Sequence, residues 1–104
     1  VWQQGFSPEP FDQAEMSFYC ASLTLAGGGW RLPNIDELVS MMDWRFGQPT
    51  VDPTFFPGTL VTFFWSSTLG GAAYGDTWAW GAFTDSGVAY VEPRVSGGYA
   101  RCVR

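Results

Sequence analysis

Four residues of "LGGAAYGDTWAW", residues 69–80, carry the clearest chemistry in the chain: Tyr74, Asp76, Trp78 and Trp80. Aromatic faces beside a carboxylate suit the C–H faces and hydroxyls of a sugar. Trp78 and Trp80 stand two apart and so share one face of any strand they occupy, where they would serve equally to pack a sheet against helices. Tyr74 lies in a glycine-rich loop and is the better exposed candidate. Arg94, in "EPR" at 92–94, is a further candidate ligand residue, since a guanidinium grips sulfate or carboxylate through paired hydrogen bonds. Arg101 and Arg104 follow it in the closing "YARCVR". Asp76, Asp85 and Glu92, with loop carbonyls, are the oxygens a calcium ion would draw on, and it needs roughly six to eight.

Catalysis is not expected from these residues. "FWSST" at 64–68 offers two hydroxyls, Ser66 and Ser67, but the chain has no His and no Lys to activate either. A carboxylate pair hydrolyses glycosides, yet ten acids supply many pairs and no spacing singles one out. The chemistry is therefore that of a binding surface, with no catalytic residue and no cofactor. No metal-ligand set is assigned either, calcium being the one ion that the loop acids suit.

These groups must be positioned by one domain spanning residues 1–104. Nine Phe, six Trp and four Tyr supply core volume, while thirteen Gly and seven Pro imply many turns and loops. Ten acids against five Arg repel nucleic acid and anionic lipid. No apolar run approaches the ~20 residues of a membrane span. The chain opens on Val rather than Met, so we expect a processed or excised piece of a longer protein.

The first helix announces itself at Asp12, an N-cap with Glu15 three residues on, while Phe11 and Met16 have the spacing of a hydrophobic staple. Met16, Tyr19, Cys20 and Leu23 then form one apolar stripe, and Gly27–Gly29 is expected to end the helix. Asn34 caps a second helix, with Glu37 completing a capping box and Ile35, Leu38, Val39 and Met42 as its stripe. Two short helices in an αα corner are the expectation. Residues 44–58 hold three Pro and two Gly and read as irregular. Strands are expected at 60–67, 77–84, 87–91 and 98–104, with a short edge strand at 1–4 and a loop at 69–76. The order is that of an α+β domain. Cys20 and Cys102 are two core thiols or one bridge, and spacing alone does not decide between them.

In that order, "YCASLTLAGGGWRLPNIDELVSMMD", "FFPGT", "FWSST", "WAWGAFTDSG" and "YARCVR" closely resemble the bacterial Lcl C-terminal-like domains. The resemblance runs from about Trp2 to Arg104, nearly the whole chain. It implies a C-type-lectin-like fold: two short helices packed on a twisted antiparallel sheet with long irregular loops. The "WRLP"-to-helix passage also resembles the formylglycine-generating enzymes, whose copper-binding cysteines have no counterpart here. The family fold implies a disulfide between Cys20 and Cys102. It also makes Trp30, Arg31, Pro33, Trp65, Ser66 and Ser67 scaffold: Trp30 in the core, Arg31 on carbonyls or a carboxylate, the serines on loop backbone. Arg101 and Arg104, in the family's closing motif, are expected to be structural, and Arg94 freer. The calcium signatures of sugar-binding C-type lectins are missing, "EPR" being only an echo with Arg where they have Asn.

The resulting expectation is an extracellular or cell-surface bacterial module, in the periplasm or on the outer surface, that binds a glycan or surface protein in the manner of an adhesin. Tyr74, Asp76, Trp78 and Arg94 are its candidate ligand residues. The alternative is a structural or assembly domain of a surface protein or filament, forming homo-oligomers through a parent chain. Neither reading involves nucleic acid or membrane insertion.

Overall fold

In the computed structural model, which describes residues 1–104, a three-stranded antiparallel sheet separates two helices. Helix α1, Gln13–Ser22, begins where the Asp12 carboxylate accepts the Glu15 N–H at 2.9 Å. Met16 and Cys20 are buried, with Tyr19 and Leu23 packed beside them, as the stripe requires. Helix α2, Ile35–Ser40, carries the complete capping box of Asn34 and Glu37. Strands β1 (Phe63–Leu69), β2 (Trp78–Phe83) and β3 (Ala89–Pro93) lie in that order.

Side chains alternate across β1, so Phe63 and Trp65 face one way and Phe64 the other. Phe63 and Trp65 join Met16, Cys20, Trp30 and Cys102 in one apolar cluster. Phe64 joins Leu38, Met41, Met42 and Val51 in a second. The helices thus cover opposite faces of the sheet, and the expected αα corner does not form. Each helix buries its stripe on the larger apolar area that the strands provide. Gly81, opposite Trp65, makes the first cluster possible, because a Cβ there would come within 2.2 Å of the Phe63 ring.

Four other segments differ from expectation. α1 stops at Ser22, well short of the glycines, and a 3-10 turn follows at Leu25–Gly27. Gly27, Gly28 and Gly29 have φ of 95°, 86° and 82°, a left-handed run that swings the chain round to deliver Trp30. The loop at 69–76 contains a short helix, α3, Gly71–Tyr74. The closing segment 98–104 and the lead-in 1–4 make isolated bridges, Phe64 to Tyr99, Trp2 to Val103 and Arg31 to Val103, in place of strands. The tail changes partner within a few residues, so no ladder propagates.

Cys20 and Cys102 are joined, with an S–S distance of 2.07 Å and Cα atoms 5.5 Å apart, tying α1 to the tail. Both are fully buried. The two ends meet: the Val1 ammonium donates to the Arg104 carbonyl at 2.7 Å, and the Arg104 N–H donates to the Val1 carbonyl at 2.9 Å. No helix is long and apolar enough to cross a membrane.

Candidate functional site

α3 and the start of β2 bring Tyr74, Trp78 and Trp80 together. Gly70 sets the geometry: its N–H donates to the Trp78 carbonyl at 2.8 Å, and a Cβ on it would lie 2.7 Å from that of Tyr74. The chain can therefore double back tightly only with glycine there. Tyr74 meets Trp80 edge to face at 6.0 Å between centroids and Trp78 at 6.5 Å with a tilt of 46°. Trp80 is half-buried, while Tyr74 and Trp78 remain 49% and 36% exposed. The result is an open aromatic platform, with the smaller Ala79 and Gly81 turned to the sheet's other face.

Asp76 and Arg94 belong elsewhere. With Asp12, Ala14, Thr77 and Val95 they line a separate recess of about 300 Å³. Arg94 is not free: its Nε donates to Gln13 Oε1 at 3.1 Å and its Nη1 to the Asp76 carbonyl at 3.2 Å. Gln13 in turn donates to the Ser66 carbonyl at 3.1 Å, so this arginine fastens the start of α1 to the sheet. The four candidate ligand residues therefore divide into an aromatic pair and a polar pair. Asp76, Asp85 and Glu92 do not gather, and no three His, Cys, Asp or Glu side chains come close enough to share a metal ion.

The motif residues hold the frame around the platform. Trp30 is buried and donates from Nε1 to the Leu25 carbonyl at 2.7 Å. Trp65 is buried and donates to the Phe11 carbonyl at 3.1 Å. The Ser66 hydroxyl donates to the Trp80 carbonyl at 2.6 Å and accepts from the Thr68 N–H, bracing the strand beneath the platform. Ser67 differs from expectation: its side chain is exposed, and its contribution is a backbone N–H given to the Pro33 carbonyl at 2.8 Å.

Arg31 grips Glu37 through both guanidinium nitrogens, at 2.7 and 2.8 Å. That contact and the Asn34 N–H pull the Glu37 carboxyl from its ordinary 4.5 down to about 2. Because the folded value lies below the unfolded one, this stabilisation is complete above pH ~4.5 and is lost as pH falls toward 2. Acid unfolding of Glu37→Gln followed by circular dichroism is expected to show a shallower loss of stability between pH ~4.5 and 2 than the parent. The effect will be modest and salt-sensitive, since the pair faces solvent.

Arg101 and Arg104, the arginines of the closing motif, both hold the frame. Arg101 is completely buried, donating to the Gly5 and Gln4 carbonyls at 2.8 and 3.0 Å and to the Thr59 hydroxyl at 3.0 Å. Its guanidinium lies 4.7 Å from the Phe56 ring centroid, with Phe6 and Phe64 also in reach and no carboxylate partner. Arg104 stacks on Trp30 at 5.0 Å and donates to the Ala26 and Gly28 carbonyls, locking the left-handed glycine turn. The feature that sequence reasoning missed is a groove of about 710 Å³ along α1, walled by Phe11 and Phe18. Its signal in the sequence was Phe18, which lies off the helix's buried stripe.

The whole chain, residues 1–104, matches the family described as the Lcl C-terminal domain. No curated protein and no solved structure matches the chain.

Proposed function

The chain belongs to the Lcl C-terminal domain family, and from that premise we propose that it is a non-catalytic extracellular recognition module, adhesin-like, that takes a glycan on its aromatic platform. The observation that carries this reading is the partial exposure of Tyr74 and Trp78, two large rings set side by side at the surface. Flat aromatic faces that have already lost their freedom stack on sugar rings at small entropic cost. The fold we propose is C-type-lectin-like, supported by the bridge from the first helix to the tail and by the paired ends. Extracellular or cell-surface residence is supported by the same disulfide, which persists only where thiols are oxidised. An assembly role is the second reading, favoured by Phe18, Trp44 and Phe55, which are 73%, 63% and 67% exposed.

A glycan array probed with the oxidised chain, once with calcium and once with chelator, tests the proposal. Specific binding is expected, with Tyr74→Ala and Trp78→Ala each weakening it about tenfold or more, near 1.4 kcal/mol. Loss of signal in chelator would add a metal to the site. A blank array beside a stable oligomer would replace the glycan reading with the assembly one.

A further inference from the structure

We infer that the groove along α1 is a second binding surface, and that its occupant is an extended, basic and apolar peptide segment of another protein. The groove shares no residue with the aromatic platform. Met16 forms part of its lining and is anchored in the core, while Phe11 and Phe18 rise 41% and 73% exposed beside it. A volume of about 710 Å³ falls within the ~300–1,000 Å³ of ordinary ligand sites and accepts two or three apolar side chains.

Charge decides which apolar partner fits. Of ten carboxylates only Glu37 and Asp43 are ion-paired, which leaves eight without a cation. All five arginines are engaged within the chain: two in those pairs, Arg94 on Gln13, Arg101 in the core and Arg104 on the glycine turn. Glu15 is the one charged residue lining the groove, and Glu9 follows Pro8 at its edge. A second copy would bring the same net charge of −5, so like-charge repulsion opposes self-docking. An anionic lipid surface is repelled for the same reason. A peptide that alternates apolar side chains with Lys or Arg supplies both the apolar filling and the missing counter-charge.

The test is calorimetric titration of the oxidised chain with a blocked hexapeptide alternating lysine and leucine, against the same peptide with glutamate for lysine. Saturable binding of the lysine peptide is expected, with the glutamate peptide at least tenfold weaker. Phe18→Ser should weaken the lysine peptide at least tenfold, and Glu15→Gln about threefold with a flatter salt dependence. Phe18 is exposed, so an unchanged melting profile will certify the variant's fold. Equal binding of both peptides, no binding of the lysine peptide, or indifference to Phe18→Ser would each overturn the inference. So would self-association, or uptake by phosphatidylcholine vesicles, that Phe18→Ser abolishes, because the groove would then belong to another occupant.

Discussion

Replacing Cys20 and Cys102 together with serine is expected to lower the thermal midpoint by about 15–40 °C. The bridge spans a sequence separation of 82. Closing a loop of that length removes about 4–5 kcal/mol of denatured-state entropy, and in a domain of this size each kcal/mol moves the midpoint by about 4–8 °C. The tail makes the prediction sharper. Residues 98–104 follow no partner long enough to form a ladder, so the bridge replaces the cooperative hydrogen bonding that a strand would have supplied. Scanning calorimetry of the double variant against the oxidised parent measures the difference. Both sulfurs are buried, so reductant should act on the parent only as it unfolds. A shift of a few degrees would mean that the bridges at Tyr99 and Val103 hold the tail unaided.

Arg101→Ala is expected to cost about 3–5 kcal/mol, as much as emptying a large core position. Alanine would leave the Gln4 and Gly5 carbonyls and the Thr59 hydroxyl without their donor, and would open a void among Phe6, Phe56 and Phe64. Burial presses the guanidinium down to about 10, still far enough above neutrality to keep it charged at pH 7. Its charge is met by two carbonyls, the Thr59 hydroxyl, the Met41 sulfur and ring faces, with no carboxylate. Lysine should recover less than half of the loss, because one ammonium on a flexible stem cannot reproduce a planar fork that reaches three acceptors. Urea unfolding of the parent, Arg101→Ala and Arg101→Lys at pH 7 gives the ranking. If lysine equalled arginine, the fork geometry would be irrelevant and the site merely a place for positive charge.

What could be read in advance was local. Asp12 and Asn34 mark their helices because a cap is an agreement among residues three apart, and the stripes on α1 and α2 repeat within two turns. The three strands of the sheet were visible for the same reason, in runs of aromatic and β-branched residues with a short turn between β2 and β3. The rest depends on partners distant in sequence. "YARCVR" reads as a strand, but its neighbours are β1, the lead-in and Arg31 in quick succession. Alternation said nothing of Arg101, because Arg101, Cys102 and Val103 are all buried and the segment has no solvent side. The candidate site divided for a similar reason. Arg94 reaches the Asp76 carbonyl directly, because the β2–β3 pairing sets Thr77 beside it, whereas its anchor on Gln13 of α1, 81 positions away, is one that no local pattern shows.

The meeting of residues 1 and 104 has a mechanical side. Tension applied through these ends first separates the Val1–Arg104 pair and then reaches the sulfur bridge, which carries it directly from Cys20 to Cys102. Only 21 residues lie outside that bridge, so extension stops near ~80 Å, against ~350 Å for the same chain once reduced. Tyr74, Trp78 and Trp80 all sit inside the shielded span. A ligand gripped there would be held on a tether whose stretch has a covalent limit, with the gripping surface itself out of the line of pull.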